Sequence, residues 1–265
     1  MTRALVGLIF AALSLDAQTA PALSADRVLY FANTNTTQGM QDITNAIRAI
    51  TEIPAMLDLA KRTLQLTGNA KQMELAEWVF GELDRPANTQ PPSPQAPSST
   101  TYSDQLPNGK TVTEAVLVLH FPNAESPRNI QETANTIRAI TEIVRLMPVN
   151  GTSAIVLRGN ADRTALAEWI FNQLAQSAAA QRPGVYEYRL PPTSVLYDHA
   201  DLTRVFYLSK TNNLQPIISA VREATKITRM MPQNQMNAIV ARGTDSQMAT
   251  ASQLVLQLDR SPAQP

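Results

Sequence analysis

The chain has 265 residues, 44% of them apolar, and its 22 basic side chains balance 22 acidic ones. A net charge of zero gives the whole molecule no field that would favour nucleic acid or an anionic membrane surface. The sequence contains no cysteine, which excludes disulfides, thiolate metal sites, a cysteine nucleophile and an N-terminal lipid-bearing cysteine.

The first segment of the chain predicts an export signal. Arg3 precedes a mostly apolar run, Ala4–Leu15, and small and polar residues follow, with candidate cleavage points after Ala17 and Ala22. This order is typical of a secretory signal peptide, and the run is too short to span a bilayer. A buried first helix is the alternative. We therefore expect residues 1–22 to be removed and the mature chain, with no membrane-spanning segment, to be periplasmic or secreted in an envelope of Gram-negative type.

A nine-residue motif recurs three times along the chain. Asn45–Ile53 reads NAIRAITEI, Asn135–Ile143 reads NTIRAITEI, and Ser219–Ile227 is a diverged copy. A glycine follows the arginine of each copy after 20, 21 and 21 residues, in the pairs Arg48 and Gly68, Arg138 and Gly159, and Arg222 and Gly243. Such constant spacing indicates one structural unit built in tandem, and tandem units usually supply binding or assembly surface.

Within each unit the apolar pattern changes period. A short β-prone run opens the unit, at residues 27–31, 115–120 and 203–208, and apolar residues at helical spacing follow. Two short apolar runs then flank a polar turn, which in the second unit contains the hairpin signal Asn150-Gly151. The first unit is one residue shorter, and we expect its hairpin turn at Lys61-Arg62 to absorb the deletion.

A second helix is predicted after each glycine. Asn69, Asn160 and Thr244 are candidate N-caps, and apolar residues then recur at i, i+3, i+4 and i+7 in every copy. The sequence therefore predicts an α+β protein of three tandem strand-helix-strand-strand-helix modules, each a small sheet with two helices on one face. The predicted modules are residues 27–86, 114–176 and 201–262.

Two connectors separate the predicted modules. Residues 87–113 are rich in proline and serine and are expected to form a flexible or extended linker. The connector 177–200 contains Val185–Leu190, which alternates like a strand. We favour an extra edge strand of the third module, and a free strand that pairs with a partner's sheet is the alternative.

The third unit resembles a known family. Its residues 237–244 (NAIVARGT), the helix after them and residues 258–262 (LDRSP) resemble the periplasmic N-domains of bacterial secretins, ring-forming outer-membrane proteins of secretion and pilus systems. The first unit has a similar ending at 83–86, and the second a similar run at 155–159. The resemblance implies a strand-helix-strand-strand-helix module that packs side by side between protomers and contacts other periplasmic subunits. Its motif positions in this chain are Gly68, Gly159, Gly243, Asn237, Asp84 and Asp259. No membrane-barrel segment follows the third unit in this sequence, so we expect no pore-forming role.

The second helix carries apolar residues away from its core stripe. These are Trp78 and Trp169, with Leu75 and Leu166 beside them, whereas the third unit has Thr250 and Gln253 there. One hypothesis is that the first two modules have a second apolar surface, for packing on each other or on another chain, and that the third ends the array. The alternative is that the tryptophans cover local loop or linker residues.

Arginines recur at the border of the first helix's apolar face. Glu52 follows Arg48 by four residues, and Glu142 follows Arg138 in the same way, which predicts exposed i, i+4 pairs. A role in contacts between protomers is the alternative for Arg48, Arg138 and Arg222.

The sequence offers no convincing catalytic set. His199, between Asp198 and Asp201, is the only cluster that resembles an acid/base or metal site, and His120 is expected to be structural or solvent-facing. Phosphate-binding glycine loops and the Gly-x-x-Gly loop of KH modules are absent.

We therefore predict a protein that is not an enzyme, binds no cofactor, metal or nucleic acid, and works by protein contact in the envelope. Self-association and contact with an outer-membrane complex are part of this prediction. The alternative is a monomeric periplasmic adaptor that binds a peptide or envelope ligand at a sheet edge. An envelope hydrolase would need a catalytic set that the sequence does not show.

Overall fold

The structure, a computed structural model, describes residues 25–86, 97–106, 108–175, 184–194, 200–210 and 213–260. The expected signal peptide, residues 1–22, lies outside these ranges, as does His199. The described residues form three modules in chain order.

Module 1 has the order predicted from the sequence. It consists of β1 (Ala25–Tyr30), α1 (Thr37–Thr51), β2 (Ala55–Asp58), β3 (Thr63–Gly68) and α2 (Ala70–Leu83). The three strands pair antiparallel in the order β1-β3-β2. Apolar residues of both helices meet the strands in one buried cluster, so the two helices lie on one face of the sheet.

Modules 2 and 3 have one strand more. Module 2 consists of β4 (Ser98–Gln105), β5 (Thr111–His120), α3 (Pro127–Thr141), β6 (Arg145–Val149), β7 (Ala154–Gly159) and α4 (Ala161–Leu174). Module 3 consists of β8 (Gly184–Arg189), β9 (Leu202–Tyr207), α5 (Gln215–Thr225), β10 (Arg229–Gln233), β11 (Ala238–Gly243) and α6 (Asp245–Arg260). Their antiparallel sheets have the orders β4-β5-β7-β6 and β8-β9-β11-β10. The predicted α+β class and module plan are confirmed.

The predicted helix caps are also confirmed. The side chains of Asn69 and Asn160 accept hydrogen bonds from the backbone N–H groups of Gln72 and Arg163, both at 3.0 Å. The hydroxyl of Thr244 accepts from Gln247 at 3.2 Å. Each cap satisfies one N–H group that the first helical turn leaves without a partner.

Part of the segment expected to be a linker is a strand. Within residues 87–113, Ser98–Gln105 forms β4, which pairs with β5 from Ser98 opposite Val118 to Gln105 opposite Thr111. The expectation of a tether is therefore corrected for these residues. The missed signals were the β-prone Thr100–Tyr102 and the turn at Asn108-Gly109, where the glycine has a φ of 79°.

The edge-strand interpretation of the second connector is confirmed. β8 lies at the edge of the third sheet and pairs antiparallel with β9.

The position predicted for the one-residue deletion is wrong. All three hairpins have the same length, since Asp58 pairs with Thr63, Val149 with Ala154, and Gln233 with Ala238. The deletion instead lies between α1 and β2. Arg48 donates to the carbonyl oxygen of Ala55, seven residues later, whereas Arg138 donates to that of Leu146, eight residues later.

The glycine that ends the last strand of each module packs against an isoleucine. A β-carbon on Gly68 would lie 3.0 Å from Cγ2 of Ile53, whereas one on Gly159 would lie 3.4 Å from Cγ1 of Ile143. The first distance is too short for two carbon atoms without a shift, and the second is ordinary van der Waals contact.

Gly68→Ala is expected to lower the free energy of unfolding by about 1–3 kcal/mol, because Ile53 must move to admit the methyl group. Gly159→Ala is the matched control, and its stability should be unchanged or slightly raised because alanine restricts the unfolded chain. Urea unfolding followed by circular dichroism measures both. Equal losses in the two variants would contradict the steric explanation.

The modules stack so that the helices of one cover the next sheet. In β5, Leu117 and Leu119 belong to the core of module 2, whereas the alternating Val116 and Val118 belong to the cluster built around the helices of module 1. Val205 and Tyr207 of β9 likewise join the cluster built around the helices of module 2. The sheets of modules 2 and 3 are therefore covered on both faces.

Candidate functional site

The structural features that bear on function are the surfaces through which modules dock. We call the contact of α1 and α2 with the second sheet the first seam, and that of α3 and α4 with the third sheet the second seam. In the first seam α1 lies against β6 and β7 while α2 lies against β4 and β5, and in the second α3 lies against β10 and β11. The two seams are thus repeats of one interface.

The structure places the interface candidates of the second helices inside these seams. Leu75 and Leu166 are buried, and Trp78 and Trp169 are partly buried and pack against the seam clusters. The ring of Trp169 lies 5.5 Å from the ring of Tyr188 in β8. The second apolar surface is therefore used within this chain, and part of what it covers comes from the connectors.

A buried arginine crosses each seam. Arg158 of β7 donates from Nη1 to the carbonyl oxygen of Ile50 at 2.7 Å and from Nε to Glu114 at 2.7 Å. Arg242 of β11 donates from Nη1 to the carbonyl oxygen of Ile140 at 2.9 Å. Ile50 and Ile140 lie in the last turns of α1 and α3, where carbonyl groups lack helical donors and the helix dipole favours a cation.

The sequence patterns did not reveal these arginines. Both directly precede the module glycine, which was the available signal, but the first module has Thr67 at that position. Only the three-dimensional stacking shows that Arg158 and Arg242 contact the preceding module.

The glutamates after the first helices belong to the seams. Glu52 and Glu142 are helix C-caps with left-handed φ values of 60° and 59°. Glu52 pairs with Arg145 of module 2 at 2.9 Å, and Glu142 accepts from Nε of Arg229 of module 3 at 2.7 Å. The expected i, i+4 pairs are thus replaced by contacts between modules.

A third seam contact joins the start of the first helix to the next module's hairpin. Asp42 of α1 accepts a hydrogen bond from the backbone N–H of Asn150 at 3.1 Å. Glu132 of α3, at the equivalent position, accepts from the N–H of Asn234 at 3.1 Å. An aspartate in the first seam and a longer glutamate in the second therefore make the same hydrogen bond to the hairpin.

The recurring arginines of the first helices act within their own modules. Arg48, Arg138 and Arg222 donate to carbonyl oxygens of the strand that follows the first helix, at Ala55, Leu146 (2.8 Å) and Met230 (2.7 Å). These bonds fix that strand against the first helix of its own module. A role of these arginines between protomers stays a prediction.

The motif aspartates tie elements together within their own modules. Asp84 accepts from the N–H groups of Ala32 and Thr34, both at 2.7 Å, and Asp259 accepts from Lys210 at 2.9 Å. Each carboxylate joins the end of the second helix to the loop that precedes the first helix. Asn237 has a left-handed φ of 47° and donates from its side chain to the carbonyl oxygen of Leu208 at 2.9 Å.

Arg158→Met is expected to lower the free energy of unfolding by about 2–4 kcal/mol, because Glu114 and the Ile50 carbonyl lose a buried donor. Arg27→Met is the control, since the Arg27 side chain is 54% exposed, and its pair with Glu77 should contribute less than about 1 kcal/mol. Chemical denaturation measures both variants. A loss at Arg158 no larger than that at Arg27 would contradict a role in the seam.

His120 ends β5 near charged residues of module 1. Burial lowers the pKa of His120, and the nearby Arg85 lowers this pKa further while Glu82 opposes the shift. A lowered pKa means that the unfolded chain binds the proton more readily than the folded chain.

The stability of the protein is therefore expected to fall as the pH drops below about 6.5, the ordinary pKa of histidine, and to stop responding to His120 below its folded-state pKa. His120→Gln should reduce the loss of stability between about pH 7.5 and about pH 5.5. Urea midpoints of the two proteins across this range test the prediction. Parallel pH profiles would exclude His120 as the source.

The only cluster that suggested acid/base or metal chemistry is not assembled in the described residues. Asp201 pairs with Arg189 at 2.6 Å, and His199 and Asp198 lie outside the described ranges. Across the described part of the chain, no group of three His, Cys, Asp or Glu side chains is placed to hold a metal ion. In the same residues no helix has the length and apolarity needed to cross a membrane.

Module 1 presents to solvent the sheet face that is covered in the other two modules. We call this the first-module sheet face; among the described residues it consists of Asp26, Val28, Tyr30, Met56, Asp58, Gln65 and Thr67, together with Thr63, which is itself buried. Tyr30 is 71% exposed and Met56 is 63% exposed. By strand register Val28 corresponds to the buried Val118 and Val205. The first-module sheet face is thus an unfilled counterpart of the two seams.

Tyr30 has a counterpart whose partner is known. Tyr207 occupies the same register position in β9, and its hydroxyl donates to the carbonyl oxygen of Gln173 in the last turn of α4 at 2.5 Å. Burial raises the pKa of Tyr207, which keeps this hydroxyl protonated as a donor. Tyr30 therefore has the chemistry to bind the end of a helix.

The described residues form a stack of α+β modules. A search of solved structures finds chains that match this one. No protein-family model and no curated protein matches the chain. Aeromonas hydrophila ExeD is 14% identical, with a TM-score of 0.20 over 91% of this chain and 42% of the other. The ETEC pilotin–secretin complex AspS–GspD is 15% identical, with a TM-score of 0.20 over 91% of this chain and 39% of the other.

A third solved structure, XcpQN012, is 13% identical, with a TM-score of 0.24 over 89% of this chain and 99% of the other. This chain covers 42% and 39% of the lengths of the first two structures.

Proposed function

We propose that the protein is an exported, non-catalytic assembly protein of the cell envelope that binds a helix pair of a partner protein on the first-module sheet face. Its setting would be the periplasm, in machinery that resembles the periplasmic part of a secretin. The three modules would supply stacked contact surface, and no cofactor or metal would take part.

One observation carries this proposal. The chain contains three equivalent sheet faces, and two of them are covered by the helix pair of the preceding module. The third, on module 1, leaves Val28, Tyr30 and Met56 at 44%, 71% and 63% exposure. Large apolar side chains grouped on one exposed face indicate an interaction surface, and the two seams indicate that helices fit it.

Helix docking is favoured over strand addition at one edge of the stack. The edge strands β6 and β10 contain Pro148 and Pro232, which offer no N–H group to an added strand. This blocks the adaptor mechanism, in which a peptide pairs with a sheet edge, along that side of modules 2 and 3.

The sequence resemblance supports the envelope setting. The NAIVARGT run, its following helix and the LDRSP ending are similar to secretin N-domains, and residues 1–22 have the pattern of a signal peptide. A periplasmic module of this kind works by contact with protein subunits. The resemblance therefore favours an assembly role in secretion or pilus machinery, including contact with an outer-membrane complex.

The double variant Tyr30→Ser with Met56→Ser should fold normally, because both side chains are exposed, but should lose most of its crosslinked partners. The measurement is chemical crosslinking in intact cells that make the tagged protein, followed by purification and quantification of the adducts. Val144→Ser is the matched control, since Val144 is an apolar residue with 86% exposure outside the first-module sheet face. Equal adduct yields from all three proteins would contradict the proposed binding surface.

A further inference from the structure

Within the described residues, the stack leaves one helix face uncovered as well as one sheet face. The outward side of α5 and α6, which we call the third-module helix face, corresponds by sequence position to the helix surfaces that fill the two seams. Its residues are Pro216, Ala220, Ala224, Lys226, Thr250 and Gln253. We propose that the third-module helix face docks on the first-module sheet face of a second copy of this chain. This inference rests on the proposed function and names the partner.

The chain builds the same interface twice. In both seams a helix pair covers the next sheet with the same set of polar contacts. The described part of the chain leaves one sheet face and one helix face of this kind uncovered, at opposite ends. A second copy supplies both missing surfaces at once, in the geometry that the chain already uses twice.

The two end faces carry charges opposite in sign to those of the seams. In the seams a glutamate caps the first helix and arginines lie on the facing sheet. Lys226 replaces the glutamate as the C-cap of α5, with the same left-handed φ of 59°. On the first-module sheet face, Pro54 and Thr67 stand at the positions that Arg145 and Arg158 occupy in module 2. Asp26 pairs with Thr67 across the two strands. In the proposed contact, Lys226 of one copy therefore faces Asp26 of the other.

The end faces also differ from the seams together at a second pair of positions. The seam contact between a carboxylate of the first helix and a backbone N–H of the hairpin joins Asp42 to Asn150 and Glu132 to Asn234. At the end faces the helix position is Pro216 and the hairpin position is Leu59, both exposed. The polar residues that meet in each seam are therefore replaced by two apolar residues, one on each end face.

These changes make the end faces specific for each other. On a sheet of the seam type, Lys226 would face arginines, and on the first-module sheet face a glutamate cap would face Asp26. Like charges brought together in an interface oppose binding, so the end faces reject seam surfaces and complement one another. Charge complementarity of this kind selects a second copy over an unrelated helical partner.

The end contact is weaker than a seam by composition. Thr250 and Gln253 stand where the seams have leucine and tryptophan, so less apolar surface is buried. The contact between copies is therefore reversible. Because it joins two different surfaces, it is head to tail, and repeated addition gives either a closed ring or an open chain.

The experiment is sedimentation velocity of the purified protein over a range of concentrations at low salt. The wild-type protein should associate with increasing concentration, and Lys226→Glu or Asp26→Lys alone should each weaken association about tenfold. An equimolar mixture of the two single variants restores both opposite-charge pairs and should associate within about threefold of the wild type. Lys110→Glu, an equal charge reversal on module 2, is the control and should have no effect.

Each outcome decides the inference. Loss in both single variants with recovery in the mixture supports head-to-tail docking, because a misfolded variant would not recover on mixing. Association that is unchanged by Lys226→Glu would overturn it in favour of contact between two sheet faces.

A wild-type protein that stays monomeric at all concentrations would overturn the inference as well. If crosslinking in cells still depended on Tyr30 and Met56, the proposed function would stand with a different helical partner. If it did not, both proposals would fail.

Discussion

The structure depends on one packing constraint: the sheets of modules 2 and 3 are apolar on both faces, but each module's own helices cover only one. Along β7 and β11 every residue is buried, which a sheet with one solvated face would not show. The preceding module must therefore supply a second layer of helices. The stack follows from this need, and its direction is set by the two seams, in each of which the helices of one module cover the sheet of the module after it.

Stacking also explains why polar side chains are buried at the seams. When a sheet covers the end of α1 or α3, it removes water from carbonyl groups that have no helical donor. Arg158 and Arg242 supply the missing donors, and their charge is favoured by the negative end of the helix dipole. A buried ion pair adds little stability over an apolar contact of the same shape. The two arginines therefore serve mainly to satisfy the helix carbonyl groups and to fix the register of one module on the next.

Features that depend on local periodicity could be predicted from the sequence, and features that depend on pairing over long distances could not. The repeat, the helix caps and the module order follow from spacings within about 60 residues. β4 was missed because Ser98–Gln105 has few apolar residues, and its stability comes from pairing with β5. The seam arginines were missed for the same reason, because Arg158 finds its partner Ile50 across 108 positions of sequence. The tryptophans gave the one sequence signal for a second packing surface.

The two seams share contacts but are not interchangeable. In the first seam the backbones of Gly39 and Gly151 approach so closely that a β-carbon on Gly151 would lie 2.8 Å from Cα of Gly39. The second seam has Asn129 and Gln235 at those positions, where side chains need space between the elements. A side chain at position 151, such as that of Gln235 in the second seam, would force the first seam apart, because its β-carbon would collide with the backbone of Gly39. The glycine pair therefore fixes module 1 against module 2, and the order of modules is encoded in the seams as well as in the chain connection.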